Sequence, residues 1–65
     1  MRINFNTNYG KISVRDIVFD PDGTNLIDGV EIKSLDNDEI MFEAGGYSAE
    51  NMTTEKLEHL IESEL

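Results

Sequence analysis

Oxygen-bearing side chains recur at regular intervals between residues 20 and 31. Counted as a twelve-residue loop, this stretch has such side chains at positions 1, 3, 5, 9 and 12, namely Asp20, Asp22, Thr24, Asp28 and Glu31. Carboxylate and hydroxyl oxygens are the ligands that a hard cation such as Ca²⁺ requires. The spacing therefore makes these five residues candidate metal ligands.

This stretch resembles the calcium loop of the EF-hand family, in which oxygen ligands come from those positions and a glutamate at position 12 closes the site. Phe19, an aromatic residue just before position 1, also suits that family. The stretch departs from the family at position 6, where Asn25 replaces glycine, and its flanks have the alternation of strands. The alternative interpretation is a polar hairpin loop, because turns are rich in Asp and Gly.

No other group of residues has the composition of a catalytic site. His59 is the only histidine, and the chain contains no cysteine. Nucleophilic catalysis needs a base within reach of a nucleophile, whereas the residues one helical turn from His59 are Glu55 and Glu62. We therefore expect a protein that is not an enzyme and has no cofactor, with calcium as the only candidate ligand.

Negative charge is concentrated in the second half of the chain. The net charge is −9, from 14 acids and five bases. Residues 1–33 carry five acids and four bases, whereas residues 34–65 carry nine acids and one base, Lys56. Such a charge repels nucleic acid and anionic membranes and attracts basic surfaces. We expect no direct binding to nucleic acid or membrane.

The acidic half divides into two groups of candidate partner-binding residues. One group lies at a predicted turn and the start of the following strand: Asp36, Asp38 and Glu39. The other forms a row at helical spacing: Glu55, Glu58 and Glu62. Carboxylates at i, i+4 repel one another on a helix, so the second row lowers the stability of the helix that carries it. A binding role and an ordinary solvated face both fit this pattern.

The helix that carries this row is predicted from Thr53 to Leu65. Thr53 suits the N-cap, and Met52 with Leu57 occupies the positions of a hydrophobic staple. An apolar stripe follows at 3.6-residue spacing and consists of Leu57, Leu60, Ile61 and Leu65.

Strands are predicted before the helix, because polar and apolar residues alternate in four segments. The segments are Arg2–Asn6, Lys11–Phe19, Val30–Lys33 and Glu39–Glu43, with turns at Thr7–Gly10, Asp20–Asn25, Asp28–Gly29 and Asp36–Asp38. The alternation breaks within the second segment, which predicts a β-bulge near Arg15–Asp16.

Together these elements predict one α+β domain over residues 1–65. It consists of a small antiparallel sheet of three to four strands, with the C-terminal amphipathic helix packed on one face. In this arrangement Ile40 and Phe42 share the core face. Val18 and Met41 would point away from the helix, so we expect them to face solvent or a second subunit.

Three functional hypotheses follow from these patterns. The first is a small acidic binding protein that engages a basic surface of a partner protein, in its extreme form a nucleic-acid mimic or inhibitor of the kind found in phages and mobile elements. The second is a homodimeric structural or assembly protein that uses Val18 and Met41. The third is a calcium-binding module that uses the Asp20–Glu31 loop.

The predicted compartment is the cytoplasm. The first residues alternate polar and apolar side chains and contain no continuous apolar run of the kind a signal peptide needs. No apolar run approaches the roughly 20 residues of a membrane-spanning helix.

Overall fold

Strands that are neighbours in the chain are also neighbours in the sheet. The structure is a computed structural model that describes residues 2–19 and 27–65. The sheet has the order β1-β2-β3-β4, each strand is antiparallel to the next, and one helix follows it. The elements are β1 (Arg2–Thr7), β2 (Gly10–Phe19), β3 (Ile27–Ser34), β4 (Ile40–Gly45) and α1 (Thr54–Glu64). The predicted α+β fold is confirmed.

The first hairpin turn is tight, as its residues predict. Asn8 and Tyr9 connect β1 to β2, and Gly10 follows with a φ of 103°. Thr7 holds the turn together, because its hydroxyl donates to the Gly10 carbonyl at 2.9 Å and accepts from the Tyr9 N–H at 3.0 Å.

The core lies between the sheet and the helix. In the middle strands, apolar side chains at every second position face the helix, whereas Ile17 lies on the opposite face. The fully buried apolar side chains of the sheet are Ile12, Val14, Val30 and Ile32. Leu57 and Ile61 of α1 cover them, and Ala49 and Met52 complete the buried cluster.

Helix α1 begins and docks as predicted. The Thr53 side chain accepts a hydrogen bond from the Lys56 N–H at 3.2 Å, which confirms the N-cap. Leu57 and Ile61 are buried and Leu60 is half-buried, whereas Leu65 is 87% exposed and does not belong to the apolar stripe. Within the described residues, no helix is long and apolar enough to span a membrane.

The β-bulge predicted in β2 is absent, so that prediction is wrong. β2 pairs with β3 in one unbroken register from Ile12 opposite Ser34 to Phe19 opposite Ile27. Val18 therefore shares the helix-side face with Ile12, where it is 62% exposed at the end of the strand. The expectation that Val18 points away from the helix is wrong, because it depended on the bulge.

The irregular strand is β4 instead. Ile32 lies opposite Phe42 but Lys33 lies opposite Ile40, which leaves Met41 as an extra residue. This shift reverses the faces, so Ile40 shares the open face with Lys33 while Phe42 packs against the core. The prediction that Ile40 and Phe42 share a face is therefore wrong. A bulge at a sheet edge also hinders pairing with further strands.

The predicted turn at Asp28–Gly29 is part of β3 and is wrong as well. A Cβ atom on Gly29 would lie 2.5 Å from the Ala44 carbonyl oxygen on the neighbouring strand. Glycine at this position therefore permits a close approach of two backbones and does not form a turn.

Candidate functional site

The turn between β1 and β2 is surrounded by carboxylates from distant parts of the chain. Glu58 Oε2 accepts a hydrogen bond from the Asn8 N–H at 2.8 Å. Glu62 Oε1 accepts from the Tyr9 hydroxyl at 3.1 Å. These two helix residues therefore have a structural role, because they attach α1 to the turn.

The turn between β3 and β4 also lies beside the β1–β2 turn. Asp36 Oδ2 accepts from the Lys11 N–H at 3.3 Å, and the Leu35 N–H donates to the Lys11 carbonyl at 2.8 Å. Lys33 Nζ lies 2.9 Å from Asp38 Oδ1, and the Asp38 side chain is 83% exposed. Members of both acidic groups predicted from the sequence thus meet at this hairpin turn: Glu58 and Glu62 of one group and Asp36 of the other.

We call this region the acidic end. It consists of the acids that surround the β1–β2 turn together with their exposed neighbour at the start of β4: Asp36, Asp38, Glu39, Glu58 and Glu62. Glu58 is half-buried and the other four are exposed. Glu55 belongs to the same helical row but lies in the first turn of α1, where the helix dipole favours a negative charge.

The Tyr9 hydroxyl contributes to the electrostatics of this end. Partial burial raises the pKa of Tyr9 above its ordinary value of 10.0, and the hydrogen bond to Glu62 and the charges of Glu62 and Glu58 raise it further. Tyr9 therefore keeps its proton and remains a donor to Glu62 throughout the neutral range.

The face of the sheet away from the helix has a different charge. In the register of the sheet, four of the five bases lie on this open face: Arg2, Lys11, Arg15 and Lys33. Only two of the described acids, Glu31 and Glu43, share it. The fifth base, Lys56, lies on α1. Lys33 pairs with Asp38, but no other base forms an ion pair with the acidic end among the described residues, so this end keeps most of its negative charge.

One ion pair lies at the centre of the open face. Arg15 Nε and Nη2 donate to the two oxygens of Glu31 at 2.8 and 3.1 Å. These hydrogen bonds lower the pKa of Glu31 below its ordinary value of 4.5; burial opposes them, and the charge of Arg2 adds to them. Glu31 is 6% exposed, so Arg15 satisfies a carboxylate that is almost removed from water.

The candidate calcium ligands are only partly described. Asp20, Asp22 and Thr24 lie outside the described residues. Asp28 and Glu31 lie in β3, and both oxygens of Glu31 accept from Arg15. A cation bound by Glu31 would therefore compete with that arginine. Calcium binding remains a prediction.

His59 is exposed on α1 and lines a shallow groove of about 570 Å³ beside Tyr47 and Leu60. Within residues 2–19 and 27–65, no group of three or more His, Cys, Asp or Glu side chains is placed to hold a metal ion.

Two anchoring residues escaped the sequence analysis. From the sequence Tyr9 is only a turn residue, and its hydrogen bond to Glu62 shows that it also anchors the helix. Asp16 Oδ1 accepts from the Ala49 N–H at 2.8 Å and so fixes the segment that leads into α1. Both contacts join residues more than 30 positions apart, and no local sequence signal indicates them.

No protein-family model, curated protein or solved structure matches this chain.

Proposed function

We propose that this protein is a small, non-enzymatic binding protein whose acidic end engages a basic surface of a partner protein. The observation that supports this proposal is the separation of charge by the sheet. Four of the five bases lie on the open face, and the acids around the β1–β2 turn have only Lys33 as an ion-pair partner among the described residues.

The acidic end has the geometry that long-range attraction needs. Three of its carboxylates accept hydrogen bonds from residues 8–11, at the β1–β2 turn, which holds them close together. These are Glu58, Glu62 and Asp36. Fixed charges of one sign raise the rate of encounter with a complementary partner and repel like-charged ones. A basic protein surface is therefore the partner class that fits.

A more specific form of the proposal is a nucleic-acid mimic, comparable in size and charge to small acidic inhibitors of phages and mobile elements. Duplex DNA carries about one phosphate charge per 1.7 Å of axis, distributed over two strands. The helical row and the β3–β4 turn supply two groups of carboxylates on either side of the β1–β2 turn. In this form the partner is a nucleic-acid-binding protein.

Affinity capture with neutralised variants tests the proposal. The double variant Glu39→Gln, Glu62→Gln removes two exposed charges of the acidic end, and glutamine at position 62 keeps an oxygen that can accept from the Tyr9 hydroxyl. We expect it to retain the fold and to bind basic partners about tenfold more weakly or worse, because charge complementarity is lost. Duplex DNA added to the wild-type complex should release the partner if the protein is a mimic.

The matched control is Glu43→Gln, an equally exposed carboxylate on the open face. It should leave capture unchanged. An equal loss per removed charge in the control and the double variant would show that net charge alone drives binding, and the proposed site would then be wrong. Capture of no basic protein by the wild type would overturn the proposal itself.

A further inference from the structure

The open face of the sheet carries a row of charges that runs across all four strands. Each residue of the row lies directly opposite the next in the strand register. From β1 to β4 the row consists of Arg2, Arg15, Glu31 and Glu43. Positive charge therefore occupies the β1–β2 half of the row and negative charge the β3–β4 half. The inner two residues pair within the chain, whereas Arg2 and Glu43 are exposed at the two ends of the row.

A row of this kind is complementary to a rotated copy of itself. A two-fold axis parallel to the strands, passing between β2 and β3, would place β1 of one copy over β4 of the other. Arg2 would then face Glu43 of the second copy, and the same contact would occur twice, as two-fold symmetry requires. A two-fold axis perpendicular to the strands would instead place arginine over arginine.

The adjacent row of the same face also fits this arrangement. Ile17 lies opposite Gly29 on β3, and Gly29 lies opposite Gly45 on β4. The half-buried Ile17 side chain thus lies beside a gap formed by two residues without side chains. The axis between β2 and β3 brings Ile17 of each copy over Gly29 of the other.

We propose that the open face is the interface of a symmetric homodimer, in which the Arg2 and Glu43 side chains of one copy pair with the Glu43 and Arg2 side chains of the second. This interface lies on the side of the sheet away from the helix, and none of the contacts proposed for it involves a residue of the acidic end. The face measures about 19 Å across four strands and about 20 Å along them, or roughly 400 Å² per copy. This area is about half of what each partner buries in a stable complex, so the proposed dimer is weak and depends on concentration.

Charge reversal at the two ends of the row tests the dimer. The variants Arg2→Glu and Glu43→Arg each place like charges at both symmetric contacts, so each alone should dimerise about tenfold more weakly or worse than the wild type. An equimolar mixture of the two variants restores opposite charges at both contacts. Sedimentation equilibrium should therefore detect a heterodimer in the mixture with about the wild-type affinity.

The measurement needs a concentration series into the millimolar range at an ionic strength of about 0.15 M. The Debye length is then about 8 Å, which screens the repulsion between two chains of charge −9 more than the direct contacts. The matched control Glu55→Arg has the same charge change as Glu43→Arg on the helix and should dimerise like the wild type.

A wild-type protein that stays monomeric throughout the series would overturn the proposal. Single variants that dimerise as well as the wild type would do the same, and so would a mixture that fails to associate. Recovery of the dimer in the mixture also proves that both variants are folded.

Discussion

At the scale of single residues, Glu31 is the only buried charged side chain among the described residues. It is buried in the middle of the sheet, and Arg15 satisfies both of its oxygens. A buried carboxylate is unfavourable unless it is paired, so this pair maintains the structure of the open face without adding much to its stability. Its spacing in the chain makes Glu31 a candidate metal ligand, but only the strand register places Arg15 opposite it.

Replacing Arg15 with methionine should make stability depend differently on pH. The folded-state pKa of Glu31 is lowered, so the pair stabilises the wild type above pH 4.5 and that contribution disappears as the pH falls through the folded-state pKa. The destabilisation of Arg15→Met relative to the wild type should therefore be largest near neutral pH and shrink below pH 4.5. Urea unfolding at a series of pH values measures it.

The control for this prediction is Lys33→Met, which removes an ion pair to the exposed Asp38. Exposed pairs contribute about 0–1 kcal/mol, so this variant should be nearly as stable as the wild type at every pH. A pH-independent loss in Arg15→Met would mean that lost packing, and not the pairing of Glu31, explains its destabilisation.

Two glycines allow a second test at the residue scale. Gly10 and Gly46 both have positive φ, at 103° and 82°. A Cβ atom on Gly10 would collide with the Asp36 carboxylate, whereas one on Gly46 would meet nothing within 4 Å. Each alanine variant should lose about 1–3 kcal/mol from backbone strain.

Gly10→Ala should be the less stable of the two, because it also displaces Asp36 from the Lys11 N–H. Thermal unfolding of both variants gives the comparison. Equal losses would show that backbone strain alone matters and that Asp36 moves aside without cost.

At the scale of elements, α1 is held by an apolar and a polar set of contacts. Leu57 and Ile61 bury the helix against the sheet, and Glu58 and Glu62 attach its flank to the β1–β2 turn. The carboxylates repel one another along the helix, but two of them accept hydrogen bonds that offset this repulsion. Glu58 and Glu62 of the acidic row therefore help to hold the helix against the rest of the protein.

Replacing Glu58 with alanine should detach this flank. We expect a loss of about 0.5–1.5 kcal/mol, because the Asn8 N–H loses its charged acceptor. Hydrogen exchange of the Asn8 amide should speed up in the same variant. The comparison is Glu55→Ala, which should stay within about 0.5 kcal/mol of the wild type. Equal effects of the two substitutions would contradict a docking role for Glu58.

At the scale of the whole molecule, the sheet separates charge into two sides. The open face has four bases and two of the described acids, whereas the acidic end has carboxylates from α1 and from the β3–β4 turn. The two proposed contacts therefore use different parts of the molecule: the acidic end for a basic protein and the open face for a second copy.

Salt should stabilise the folded monomer. With a net charge of −9, the compact state suffers self-repulsion that added salt screens. The melting temperature at low protein concentration should rise between about 0.01 and 0.15 M salt, as the Debye length falls from about 30 to 8 Å. The double variant Glu39→Gln, Glu62→Gln should have a smaller increase. A melting temperature that falls with salt would mean that attractive pairs such as Arg15–Glu31 dominate instead.

The sequence by itself determined the local elements and the fold class. Propensity and periodicity are sufficient to predict features that depend on neighbours a few residues away. Such features are the N-cap Thr53, the turn before Gly10, and the apolar positions Ile12 and Val14 that alternate with polar residues. The excess of acids in the second half of the chain is likewise a property of composition.

Only the tertiary structure decided how those elements face one another. The bulge lies at Met41 and not near Arg15, and the register assigns four of the five bases to one face of the sheet. Glu58 and Glu62 reach the β1–β2 turn across 50 and 53 residues of chain. A one-residue shift in register reverses the face of every following side chain, so short-range patterns do not determine which charges meet.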